Sequence, residues 1–148
     1  MNKVDISCSG VDSLPWLGNL ENICLKILNI MQKNGWEVSI LFCNDAYIKE
    51  LNKKYRGIDK PTDVLAFSQV EGKSPKSSLF FLDNYLAGDI VISVDTLKNN
   101  CKEYSVQIEE ELRRLLIHGL LHLDGYEHKS SDFDDAMICL QEKILKKI

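Results

Sequence analysis

The chain predicts an α+β fold, a small mixed β-sheet packed against several helices. Three observations lead there. Every segment with two-residue alternation lies before Asp95, and everything from Asp95 onward has helical periodicity. No repeat, low-complexity tract or internal linker interrupts the sequence. At 148 residues it is long enough to bury a core without staples, so residues 1–148 are read as one domain.

Val4–Cys8 alternates weakly and is a candidate first strand. Leu14–Asn34 places Leu17, Leu20, Ile23, Leu25, Ile27, Leu28 and Met31 near helical spacing, with Asn34-Gly35 as the stop. Trp36–Phe42 alternates and is rich in β-branched and aromatic residues, a strand. Asn44 or Asp45 caps a short helix from Asp45 to about Lys54, which delivers a basic loop, Lys53–Lys60. Asp63–Val70 is a second strand, and polar Glu71–Ser78 a hairpin-like connection. Extended pieces follow at Leu79–Leu82 and Asp89–Val94, with Gly88 marking the turn into the latter. Helices are then expected over Asp95–Tyr104, Ser105 to Asp124 and Asp132–Lys147. Ser105 is the expected N-cap of the long one, with Glu109, Glu110 and Glu111 favoured by the helix dipole.

The net charge of −4 argues against a general polyanion binder, so nucleic-acid contact would need a local basic patch. Five cysteines stand singly with no C-x-x-C pair, and the N-terminus lacks the charged and apolar regions of a secretion signal. Apolar runs fall short of the roughly 20 residues that span a bilayer. A cytoplasmic location follows as the expectation, with no membrane partner.

All three histidines lie in one stretch, His118-Gly-Leu-Leu-His122-Leu-Asp-Gly125-Tyr-Glu-His128. Residues four apart on a helix share a face, about 6 Å apart along the axis, so His118 and His122 can address one ion. On an unbroken helix His128 would face away; Gly125 is a natural left-handed cap that lets Tyr126–His128 fold back. Three imidazoles on a tetrahedral ion leave one position open, the pattern of a catalytic rather than a closed site. A histidine on a helix is more often core or surface, and a lone H-x3-H pair is often accidental. H-x3-H-x5-H with a glycine at the reversal, and no histidine elsewhere, favours the metal. Cys139 is the best candidate for closing a structural site, although a lone cysteine on an apolar face is more often core. Zinc is the expected ion, one per chain; nickel or another divalent transition metal suits the same ligands. The spacing approaches the peptidase pattern H-E-x-x-H-x-x-G-x-x-H, but Gly119 stands where a peptidase needs its glutamate base. A protease is disfavoured.

Three motifs, YRGIDKPTDVLAF (Tyr55–Phe67), AGDIVIS (Ala87–Ser93) and IHGLLHLDGYEH (Ile117–His128), stand in the same order as in a known family. From Trp36 onward the chain resembles the YbeY endoribonucleases, also called rRNA maturation factors. The family's usual aspartate before the last histidine is Glu127 here. The resemblance implies an α+β fold with zinc held by His118, His122 and His128. It also implies metal-dependent cleavage of single-stranded RNA, in ribosomal RNA maturation and ribosome quality control at the small subunit. DNA is not an expected partner. In that family an arginine of the YRG motif is functionally important, and the resemblance puts it at Arg56 here.

Lys53, Lys54, Arg56 and Lys60 form the densest basic cluster and are the candidate substrate-binding residues. Arg56 and His118 are the candidate catalytic ones. A guanidinium grips two phosphate oxygens at once and stabilises developing negative charge. The plainer alternative pairs Arg56 with Asp59 or Asp63 in a solvated loop. Tyr55 and Tyr126 are candidates for stacking on bases, Lys129 and Arg113-Arg114 for extending the basic track. Glu111, two turns before His118, is a weak candidate for orienting it. Met137 is a candidate apolar floor, with core packing the plainer role. Attack by metal-activated water and attack by a ribose 2′-hydroxyl both stay open. Two other classes compete: a ribosome-assembly factor with a structural metal, and a metal hydrolase of another substrate.

Overall fold

Strand residues alternate between two unequal cores. In the computed structural model, which describes residues 1–11, 14, 15, 17–68, 85–126 and 136–148, the strands are β1 (Lys3–Cys8), β2 (Trp36–Cys43), β3 (Val64–Ser68) and β4 (Tyr85–Ser93). The helices are α1 (Leu20–Ile30), α2 (Asp45–Arg56), α3 (Val94–Tyr104), α4 (Ile108–Leu123) and α5 (Ala136–Leu145). The described strands form one sheet in the order β1-β2-β4-β3. β1, β2 and β4 run parallel, and β3 lies antiparallel on the edge of β4. The mixed sheet and α+β class are as expected.

Val38, Ile40 and Phe42 of β2 join Ile90 and Ile92 of β4 in the larger core, together with α1 and α4. The opposite face holds a smaller cluster, Cys43, Leu65 and Val91, covered by Ile48 of α2. α4 is apolar around most of its circumference because it packs against β3, β4, α1, α3 and α5. Gly119 permits its close approach: a Cβ there would sit 3.0–3.2 Å from three side-chain carbons of Ile90. The residue that breaks the peptidase pattern is therefore a packing glycine, where any side chain would press on Ile90.

α2 is held at both ends. The Asn44 side chain accepts from the Tyr47 N–H at 2.9 Å, and Gly57 closes the helix in the left-handed region. Ser93 and Thr96 hydroxyls each donate to Asp45 Oδ1 at 2.6 Å, tying the starts of α2 and α3 together. Buried Asn52 donates to the Lys60 carbonyl at 2.9 Å and accepts the Ile58 N–H on its own carbonyl, fastening the loop after α2.

Several expected boundaries move. α1 ends at Ile30, short of Asn34-Gly35, because Gln32 adopts a left-handed conformation and the Lys33 N–H caps the Leu28 carbonyl. Lys53, Lys54 and Arg56 belong to the last turn of α2, not to a loop; only Lys60 does. Ser105 is the left-handed C-cap of α3, and Gln107 is the N-cap of α4. Gly88 lies inside β4, beside an irregularity against Glu37–Val38, rather than in a turn before it. The expected strand Leu79–Leu82, the connection Glu71–Ser78, the end of Asp63–Val70 and the start of Asp132–Lys147 fall outside the described residues. All five cysteines are free thiols, as the absence of pairing rhythm suggested. No helix among the described residues is long and apolar enough to cross a membrane.

Candidate active site

The C-terminal half of α4 presents His118 and His122 on one face. Their Nε2 atoms stand 3.0 Å apart, with the rings edge to face. Two lone pairs do not face each other at that distance, so the contact needs a proton on one ring or a cation shared by both. Two ligands of a tetrahedral zinc ion, each about 2.0–2.1 Å from it, lie roughly 3.3 Å apart. The donor pair therefore fits such an ion with a few tenths of an ångström of adjustment. Its place near the carbonyl end of α4, where the helix dipole is negative, also favours a cation. His128, the expected third ligand, falls outside the described residues, as do Glu127 and Lys129. Among the described residues no third histidine, cysteine, aspartate or glutamate joins the pair. Cys139, the candidate for a closed site, is exposed.

α4 ends as the sequence anticipates. The Gly125 N–H caps the His122 carbonyl at 3.0 Å and the Tyr126 N–H caps the Leu121 carbonyl at 3.0 Å, with Gly125 at φ 97°. This Schellman closure turns the chain out of the helix directly after the second histidine. Asp124 is held by Lys33 at 2.7 Å, which fixes the same end of α4 to the end of α1.

A cleft of about 540 Å³ opens in front of the two histidines. Its walls are His118, Gly119 and His122 of α4, β3 from Val64 to Phe67, Thr62 and Asp63 of the preceding loop, and Tyr55 and Arg56 of α2. Arg56 thus reaches the same cleft as the imidazoles from another element. Neither pairing that would have made it a plain surface charge is present. Asp59 lies 4.0 Å from Lys49, and Asp63 accepts from the Val64 N–H and from Asn100. Lys53, Lys54 and Lys60 are exposed and outside the cleft wall. Tyr55 packs edge-on against Phe67 and stays 58% exposed, enough to offer a ring face.

Glu111 does not orient His118. It is buried beneath Arg114, whose Nη1 lies 2.9 Å from its Oε1. Arg114 is occupied by Glu111 and Glu142 and is no extension of a basic track, while Arg113 has a buried Nε. Met137 is packed in the larger core. The group at His118 Nδ1 is instead Gln141 of α5, with Oε1 at 2.8 Å. Its spacing from the histidines carries no sequence motif; only the docking of α5 on α4 reveals it. Gln141 also donates to Glu142 at 3.2 Å. Burial pulls the Glu142 carboxyl upward, but hydrogen bonds from Arg114 and Gln141 outweigh it and hold it below its ordinary value. The bond to Glu142 pushes the Arg114 guanidinium up in return.

Fold and cleft define a class: α+β proteins that set paired imidazoles near the end of a buried helix, facing an arginine across a sheet edge. Comparison with known proteins narrows it. The family model described as Endoribonuclease YbeY matches residues 13–148. An Endoribonuclease YbeY of Treponema pallidum (strain Nichols) is 40% identical over 145 residues, covering 98% of this chain and 89% of that protein. One of Treponema denticola is 43% identical over 126 residues, covering 85% and 79%. The solution structure of TM1509 from Thermotoga maritima superposes with a TM-score of 0.62 at 28% identity, over 97% of this chain and 87% of that one. The chain belongs to the YbeY endoribonuclease family.

Proposed function

We propose that this protein is a zinc-dependent endoribonuclease that cuts single-stranded RNA during ribosomal RNA maturation and ribosome quality control. One observation carries the reading: Arg56 from α2 and the converging His118 and His122 from α4 line the same cleft. Family membership supports RNA as the substrate, and the small ribosomal subunit as the setting in the cytoplasm.

His118 and His122, joined by His128, would hold the ion through their imidazole nitrogens. A divalent cation there supplies positive charge and Lewis acidity to a phosphoryl group. The protein's own part is to bind and orient. Arg56 takes the phosphate through two N–H groups and opposes the negative charge that builds on its oxygens. It does so from a helix end fixed by Gly57 and Asn52, so little ordering is left for the moment of reaction. Tyr55 offers a stacking face to an unpaired base beside that phosphate. Lys53, Lys54 and Lys60 attract the flanking backbone by charge alone.

The test is Arg56→Ala assayed on single-stranded RNA, with the metal content of the same preparation measured. Cleavage should fall by about 10²–10³-fold, as when one charge-stabilising donor is removed, while bound metal stays unchanged. Undiminished cleavage would remove Arg56 from the mechanism.

A further inference from the structure

We infer that Gln141 is the positioning residue that decides which ring nitrogen of His118 faces the cleft, and that the Arg114–Glu142 pair fixes Gln141 in turn. The inference deepens the metal-site reading and depends on it for its consequence, not for its geometry.

The Gln141 side chain is buried between two partners. Its Oε1 lies 2.8 Å from His118 Nδ1, and its Nε2 lies 3.2 Å from Glu142 Oε2. The two ends of an amide look alike in shape and differ in chemistry, so the partners determine its orientation. Glu142 receives Arg114 Nε at 3.1 Å and Nη2 at 3.2 Å, a two-bond pair that keeps the carboxylate ionised and able only to accept. Gln141 must therefore turn its NH₂ toward Glu142. A flipped amide would set its carbonyl oxygen against a carboxylate oxygen. With NH₂ committed, Oε1 faces His118, and an amide oxygen only accepts. The proton of the neutral imidazole is thus drawn to Nδ1, and Nε2 presents its lone pair toward His122 and the cleft, as a ligand must.

The same chain of bonds continues away from the histidine. Arg114 Nη1 reaches Glu111 at 2.9 Å. Asn100 bridges Glu111 at 3.3 Å and Asp63 at 3.1 Å, and Asp63 lies on the cleft wall that carries Arg56. Charge at one end of the cleft and tautomer at the other are held by one run of partners with fixed donor and acceptor roles.

The experiment uses the full-length protein with ¹⁵N-labelled histidine, stripped of metal and held above the ordinary imidazole range. Long-range ¹H–¹⁵N spectra report each ring's tautomer. With three histidines in the chain, His118 is assigned by difference against His118→Gln. The wild type should carry the His118 proton on Nδ1. Gln141→Met, which keeps volume and removes the acceptor, should shift the ring toward the Nε2–H form. It should also weaken zinc binding about 10–100-fold, the usual cost of losing an outer partner. Glu142→Gln, at a more exposed site, should produce the same mixture of tautomers with Gln141 in place, and it decides the matter if Gln141→Met fails to fold. A wild-type His118 protonated on Nε2, or a ring unchanged in these variants, overturns the inference. If the wild type takes up no metal, the metal reading fails, while the tautomer result still stands or falls by itself.

Discussion

Gly125 and Gln141 show how unevenly single residues announce themselves. Gly125 was legible because a third histidine six positions after His122 requires the helix to stop, and glycine is the residue that stops helices in the left-handed region. Its φ of 97° bears this out. Gly125→Ala should cost about 1–2 kcal/mol of stability, the penalty of a Cβ in that conformation, and Gly125→Asn less. Urea denaturation reads both, and an alanine variant as stable as the wild type would contradict the cap. Gln141 was not legible, because nothing in its local sequence separates it from any polar residue on a helix. Glu111 was the wrong candidate for the same reason. Spacing placed it near the histidine face, but its carboxylate is spent on Arg114 and Asn100.

At the scale of elements, hydrophobic periodicity located each described strand and helix but misplaced their ends. Ser105 has the composition of an N-cap, yet it takes the left-handed turn that closes α3 and leaves the start of α4 to Gln107. Gly88 has the composition of a turn, but it belongs to the irregular stretch of β4 paired with Glu37–Val38. Backbone conformations of this kind depend on which elements meet, which a single sequence does not contain. The packing of α5 on α4 has a consequence for pH. The Glu142 carboxyl is held below its unfolded value of 4.5. Its contribution to stability is therefore complete above that value and is lost as pH falls through the lowered one. Glu142→Gln should flatten the acid limb of a stability-against-pH curve and lower the neutral plateau. Unfolding midpoints measured across the acid range test this, and parallel curves for the two proteins would contradict it.

For the molecule as a whole, a net charge of −4 leaves RNA affinity to a local cluster working against a repulsive background. Lys53 and Lys54 are exposed in the last turn of α2, which also carries Arg56, with Lys54 5.2 Å from the Tyr55 ring. Replacing either by alanine should reduce the slope of log Kobs against log salt by about 0.7 per lost phosphate contact on single strands. The cleavage rate at saturating RNA should stay unchanged, and an unaltered slope would show that these lysines do not touch the backbone. The fold class was legible from the order of alternating and helical segments along the chain, and the histidine pair from spacing within one helix. Arg56 was joined to the histidines in the sequence only by the family resemblance; spacing could not join them, since their shared cleft depends on how α2, β3 and α4 pack together. Metal dependence of cleavage tests the account most directly: single-stranded RNA is incubated with the protein as purified, after chelation, and after zinc is restored. Cleavage should vanish with the ion and return with it, at one zinc per chain. Full activity in protein shown to be free of metal would contradict the account at its root.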